Sequence, residues 1–408
     1  MDIKSSLILD RVVRPKVHGP GKSWSAYQVC GCVGLGLAIL QSMILATRSG
    51  LAPWVVLAIV VCAVLTFFAV IVVTKIITGE EQIIYFHHEI AVMLATAGLL
   101  WLLGQPILPY LDVTILGIGG FLACGRIGCL MVGCCHGRPY RWGVRYRPDH
   151  AEAGFAPYLV GVRLFPIQLV ESLHVLWIVV MGIFVFSRRS PGEALAWYVI
   201  TYDIGRFCFE FMRGDTGRPY LYGFSEAQWI SLFLMLGALG AELSGLLIFH
   251  AWHAAATACM VSVMIATAAR RQLRGEAKYR LFHPRHIKEV AEAVGLFSSL
   301  ASRPTGFSER AIAAEDVRIA HTSVGVKISA SRIEDGSGLI DHFAISHQSD
   351  VMSEKIARVL GRLVLQLGHY SGPSRIVSQK AGIYHFLIRP QKLTKFQSRS
   401  ESEKGIRL

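Results

Sequence analysis

The run Gly125-Arg126-Ile127-Gly128-Cys129-Leu130-Met131-Val132-Gly133-Cys134-Cys135-His136-Gly137-Arg138 sets two arginines and a histidine among small residues at the end of a long apolar stretch. A charged side chain deep in hydrocarbon costs at least about 2.5–3.5 kcal/mol, so an arginine in such a place points to use. Its guanidinium is a planar fork of donors that meets a phosphate through two parallel hydrogen bonds, and small residues such as Gly125 and Gly128 leave room for a headgroup to approach. The chemistry suggested is a clamp on a lipid phosphate. The plain structural alternative is an arginine snorkelling to the interface.

Three further patches carry reactive groups in apolar surroundings. Tyr202 to Asp215 places Arg206 and Glu210 four residues apart, on one helix face, with Arg213 just beyond. This is either a self-satisfied pair or part of a site, and since a buried ion pair stabilises weakly at best, its retention favours use. Leu164 to His174 puts Gln168 and Glu171 on one face with His174 a turn later, and Phe86-His87-His88-Glu89 opens another apolar segment. A lone histidine is more often structural than catalytic, so these patches count through their convergence with the arginines.

Such residues need a scaffold that carries them into the bilayer. Of the 408 residues 53% are hydrophobic and 17% charged, with the apolar ones concentrated in the first two thirds of the chain. Segments near 28–47, 53–74, 84–103, 113–135, 164–186, 193–211 and 229–249 each approach the roughly 20 apolar residues that cross a hydrocarbon core. An eighth stretch, 252–268, is a span, an interfacial helix or a continuation of the seventh. The expectation is an all-α polytopic membrane protein of 7–8 transmembrane helices, residues 28–270, behind a basic segment 1–27. That segment lacks a small-residue cleavage site and is read as no removable signal peptide.

Beyond about residue 275 the apolar runs shorten and polar residues rise. A small soluble α/β domain is expected over 275–390, followed by a disordered basic tail over 391–408. Its predicted elements are a helix over 286–300, one or two strands over 317–330, a strand over 341–346, a helix over 353–367 capped by Ser353, and a last strand over 382–388. The net charge of +13 fits topology and anionic lipid headgroups better than nucleic acid, with the run Arg270-Arg271-Gln272-Leu273-Arg274 through Lys278 and Arg280 read as juxtamembrane.

All nine cysteines fall in the apolar part, so no disulfide framework is implied. Cys129, Cys134, Cys135 and His136 are soft ligands by type, yet adjacent Cys134-Cys135 fit poorly into one tetrahedral site, and neighbouring arginines oppose a bare cation. The expectation is no metal.

Taken in order, these patches resemble the bacterial prolipoprotein diacylglyceryl transferases, polytopic enzymes that move diacylglycerol from phosphatidylglycerol to a cysteine thiol of a lipoprotein precursor. Gly125-Arg126-Ile127-Gly128 with Gly137 resembles the family signature; Pro166, Gln168 and Glu171 resemble its proline-glutamine-glutamate patch; Arg206, Phe207, Glu210, Phe211 and Arg213 resemble its arginine-glutamate helix. Gly223, Ser225 and Gln228 fit the opening of its last span. The resemblance covers roughly residues 25–250. It departs where Cys129 and Val132 replace asparagines, where Cys134 replaces a glutamate, and where His87-His88-Glu89 lacks two glycines.

The resemblance implies that Arg126 and Arg206 bind phosphate, that Glu210 orients Arg206, and that Gly125, Gly128, Gly137, Arg138, Gln168, Glu171 and Arg213 hold the substrate. It makes His87 the base that generates the acceptor thiolate, with His136 as the alternative inside the signature. No cofactor is implied, the membrane is the bacterial plasma (inner) membrane, and the acceptor is left open. Two other readings stand beside it: a noncatalytic lipid-binding receptor or scaffold, and a membrane thiol oxidoreductase using Cys134 and Cys135.

Overall fold

The computed structural model describes residues 3–19, 21–79, 84–188, 190–215, 219–274, 281–301, 318–335, 338–370 and 374–389. The expectation for the tail 391–408 lies outside the described residues, as do Lys278 and Arg280. The chain divides into two units, one of residues 1–137, 152–154 and 165–273, the other of residues 138–151, 155–164 and 274–408.

The first unit opens with α1 (Ile3–Val12) and a hairpin of β1 (Lys16–Gly19) and β2 (Lys22–Ser25). Then come α2 (Ala26–Arg48), α3 (Pro53–Thr78), α4 (Tyr85–Leu102) and α5 (Ile107–Val132). In the second unit β3 (Pro139–Arg145), α6 (Pro148–Ala151) and β4 (Arg163–Leu164) follow, before the chain returns to the first as α7 (Ile167–Arg188) and α8 (Glu193–Glu210). A short hairpin, β5 (Tyr220–Leu221) and β6 (Phe224–Ser225), leads into α9 (Glu226–Leu243) and α10 (Ala251–Arg274).

Each of the eight apolar segments coincides with one of the long helices α2 to α5 and α7 to α10. Among the described residues five helices are long and apolar enough to cross a membrane: α2, α3, α5, α7 and residues 251–273 of α10. The other three are eighteen residues each and carry polar groups that lower their hydropathy: Glu89 in α4, Asp203, Arg206 and Glu210 in α8, Gln228 and Glu242 in α9.

In lipid, apolar burial gives helices little reason to associate, so close approach at small residues and satisfied polar groups must do so. α5 is the axis of the unit. A Cβ on its Gly117 would lie 2.6 Å from Ser42 Oγ of α2, and one on Gly128 would lie 3.2 Å from the Cα of Tyr27. Asp112 of α5 is buried and caps α8: its Oδ2 accepts from Gly192 N and its Oδ1 from Leu195 N, each at 2.7 Å. These are amides at a helix start, which have no partner within their own helix. At the other end of α8, Gln228 closes a capping box with Ser225 and donates from Nε2 to Phe207 O at 3.2 Å, tying α9 to α8.

The second unit contains α11 (Pro284–Ala301), β7 (Arg318–His321), β8 (Val326–Asp335), β9 (Gly338–His347), α12 (Glu354–Leu367), β10 (Ser374–Lys380) and β11 (Ile383–Ile388). Strands β7 to β11 form an antiparallel sheet in the order β10-β11-β9-β8-β7. Alternation along β8, β9 and β11 buries Val326, Ile328, Ala330, Phe343, Ile345, Phe386 and Ile388, and α12 contributes Leu360, Leu363, Val364 and Leu367 to the buried set. Gly361 permits the close seat of α12, since a Cβ there would fall within 2.0 Å of the Phe386 ring. Ser353 precedes α12 as expected but makes no side-chain cap bond. β10, with the polar sequence Ser-Arg-Ile-Val-Ser-Gln-Lys, was not expected; it pairs as an edge strand. The connection after the signature belongs to this unit, with Gly161 against the His369 ring.

Replacing Asp112 by alanine orphans two buried amides. The expected loss is about 1–3 kcal/mol per unsatisfied donor, read as a lowered thermal midpoint in detergent, with Asp112→Asn losing less because it keeps one acceptor oxygen.

Candidate functional site

One carboxylate gathers the arginines. Glu171, buried on α7, is ion-paired with Arg126, whose Nε lies 2.7 Å from its Oε2, and accepts from Arg206 Nη1 and Arg213 Nη1 at 3.1 Å each through Oε1. Arg206 Nη2 also meets Glu210 Oε1 at 2.6 Å, one turn on along α8. Arg213 is held by Asp215 at 3.0 Å through Nε and reaches Glu210 at 3.9 Å. Three guanidiniums therefore face three carboxylates, and the cluster balances its own charge. Of the three carboxylates, Glu171 arrives from outside the arginine motifs.

Arg126 uses Nε for Glu171, and among the described residues this is its polar contact, which leaves its two terminal nitrogens uncommitted. Arg206 spends both terminal nitrogens on carboxylates. Arg126 is thus the guanidinium of the three whose terminal nitrogens are not spent on carboxylates among the described residues.

The turn after α5 completes the site. Gly133 (φ 87°) ends the helix in the left-handed region, its N–H returning to Cys129 O at 2.9 Å. Gln168 Nε2 donates to Cys134 O at 2.8 Å, Gly214 N donates to His136 O at 2.9 Å, and Gly137 bridges Arg213. A Cβ on Gly137 would fall 2.4 Å from Phe165 O, so this glycine lets the signature pass under the start of α7. His136 is buried, with Nδ1 3.0 Å from Gly137 O. A carbonyl only accepts, so Nδ1 carries the proton and Nε2 is the basic nitrogen. Burial pushes the imidazole below its ordinary value near 6.5, which keeps it neutral at pH 7.

Of the sequence-nominated residues, Arg126, Glu171, Arg206, Glu210 and Arg213 meet directly, and Gln168, His136 and Gly137 join them through the turn. Gly125 and Gly128 lie on α5 beside Arg126, Gly125 with open space where a Cβ would stand. Arg138 falls in the other unit. His87 does not touch the arginine cluster: its Nε2 is 2.9 Å from Glu226 Oε1 at the start of α9, with 40% of the side chain exposed.

Two groups were left out of the expected site. Tyr202, four residues before Arg206 on α8, has a buried hydroxyl with no hydrogen-bond partner among the described residues. Its i, i+4 spacing was the available signal. The other is the cysteine set. Adjacent residues looked unable to share a site, yet Cys135 adopts φ 53°, and the sulfurs of Cys129, Cys134 and Cys135 lie within 4.8 Å of one another. The left-handed turn, invisible in linear spacing, brings the adjacent sulfurs near that of Cys129.

Removing Glu171 leaves three guanidiniums facing one another without their shared counter-charge. Glu171→Ala is expected to cost about 3–5 kcal/mol of stability, as an uncompensated buried charge does, with Glu171→Gln between it and wild type in thermal unfolding.

The family described as prolipoprotein diacylglyceryl transferase matches residues 24–243. Relatives include the phosphatidylglycerol–prolipoprotein diacylglyceryl transferase 2 of Clostridium perfringens, 32% identical over 139 residues, which cover 33% of this chain and 50% of that protein. The transferase so named in Clostridium tetani is 32% identical over 134 residues, 32% of this chain and 51% of the relative. That of Dehalococcoides mccartyi is 32% identical over 130 residues, 32% of this chain and 48% of the relative. The chain thus spans about half the length of the curated relatives it matches.

Proposed function

Because the chain belongs to the prolipoprotein diacylglyceryl transferase family, we propose that it transfers diacylglycerol from phosphatidylglycerol to the cysteine thiol of a lipoprotein precursor, as a multi-pass protein of the bacterial plasma membrane. The observation that carries this reading is the Glu171-centred arginine cluster with Arg126 poised to take a phosphate. In this reading α2 to α5 and α7 to α10 are eight spans within residues 28–270, residues 275–390 form a small soluble α/β domain, and 1–27 and 391–408 are basic flanks.

In the reaction the acceptor sulfur forms a bond to the glycerol carbon that carries the phosphate. The carbon–oxygen bond breaks, and its electron pair leaves with glycerol phosphate. Arg126 stabilises the charge that develops on the departing phosphate, with Arg206 and Arg213 held by Glu171 and Glu210 as its fixed surroundings; such preorganised donors supply the largest share of catalysis in transfers of this kind. The thiol, ordinarily near pKa 8.5, gives its proton to a neutral imidazole. His136 Nε2 suits this role better than His87, which is engaged with Glu226. Gln168 fixes the turn through the Cys134 carbonyl, and the Tyr202 hydroxyl is available to the headgroup.

Purified chain in detergent, given labelled phosphatidylglycerol and a cysteine-bearing lipoprotein signal peptide, should produce lipid-linked peptide. Arg126→Ala should lower the rate about 10²–10³-fold, as loss of one charge-stabilising donor does, and keep its fold because Glu171 retains Arg206 and Arg213. A well-folded wild type that binds the lipid without transfer would favour the receptor reading instead. The rate should also fall with pH as His136 takes up a proton, giving an acid limb below the ordinary 6.5 that disappears in His136→Asn. A limb unchanged in that variant would remove His136 as the base.

A further inference from the structure

We propose that Cys129, Cys134 and Cys135 form a three-sulfur site for a thiophilic divalent cation of the zinc class, set beside the arginine cluster. The transfer reading does not use these thiols, and the site stands independently of it. All three cysteines are free. Their sulfurs lie within 4.8 Å of one another. A zinc–sulfur bond of about 2.3 Å puts the ligands of one ion roughly 3.8–4.0 Å apart, so the set closes on an ion with a shift of under about an ångström.

The backbone is built for this arrangement. Cys135 occupies the left-handed region at φ 53°, which a residue other than glycine adopts at a cost of about 1–3 kcal/mol and keeps only where its surroundings enforce it. The enforcing contacts are present on both sides: Gln168 holds the Cys134 carbonyl, and Gly214 holds the His136 carbonyl. Cys129 is buried at the end of α5, whereas Cys134 is exposed and gives an ion a way in.

The charge also fits. A bare cation would be repelled by Arg126, which lies three residues before Cys129 on α5, and by Arg213, whose backbone bridges Gly137. A divalent ion held by three thiolates instead carries a net charge of −1, which these guanidiniums favour. Binding breaks three S–H bonds, forms three sulfur–metal bonds and releases the protons to solvent, with no change of oxidation state.

The test is a cadmium chloride titration of the full-length chain in detergent under a non-thiol reductant, read by the ultraviolet sulfur-to-cadmium charge-transfer band, followed by displacement with zinc chloride. The expected result is one equivalent per chain, kept when Cys30, Cys32, Cys62, Cys124, Cys208 and Cys259 are all serine, and weakened at least tenfold in Cys134→Ser or Cys135→Ser. Circular dichroism and size-exclusion profiles establish that each variant is folded. A folded wild type without a one-equivalent band would overturn the site, as would a folded Cys134→Ser variant that binds equally well. A band lost in the folded six-serine variant would assign the ion to other cysteines and equally overturn it. Because the readout is metal uptake, it is unaffected by whether the chain transfers lipid.

Discussion

A single buried carboxylate holds the functional end of the helical unit together. Glu171 lies among Arg126, Arg206 and Arg213, which come from α5, from α8 and from the turn after α8. In a low-dielectric interior none of these charges is tolerable alone, and each guanidinium is costly unless its partners are in place. The requirement to neutralise them fixes the relative position of α5, α7 and α8 at this level more strictly than apolar packing in a bilayer could.

The remaining polar groups of the unit serve that same register. Asp112 anchors the start of α8 to α5, and Gln228 anchors its end to α9. The glycines of α5 bring α2 close enough for the axis to be enclosed. After α5, two left-handed residues and two side-chain or backbone clamps return the chain over the cluster, which places His136 and the three cysteines beside the arginines.

Much of this was legible from local pattern. Arg206 and Glu210 announce their pairing by i, i+4 spacing, the apolar runs mark α2 to α5 and α7 to α10, and alternating residues over 317–330 and 341–346 mark β7 to β9. What escaped depends on contacts between distant segments. Nothing near Glu171 in the chain shows that it will meet three arginines, nothing near His87 shows that Glu226 will hold it, and the polar edge strand β10 lacks a buried face that would reveal it. The proximity of the three cysteines was hidden for a local reason of another kind: linear spacing assumes ordinary backbone, and Cys135 does not have it. Within the stretch expected as part of the membrane region, residues 138–151 and 155–164 group with the unit that contains the sheet.

The proposed function rests on the Glu171-centred cluster presenting Arg126 to a lipid phosphate. Equilibrium binding of phosphatidylglycerol and phosphatidylcholine to the purified chain, followed by native mass spectrometry for wild type and Arg126→Ala, tests this most directly. Wild type should prefer the anionic lipid at least tenfold, and the variant should lose that preference while remaining folded. An equal preference in the two proteins, or none in wild type, would contradict the account.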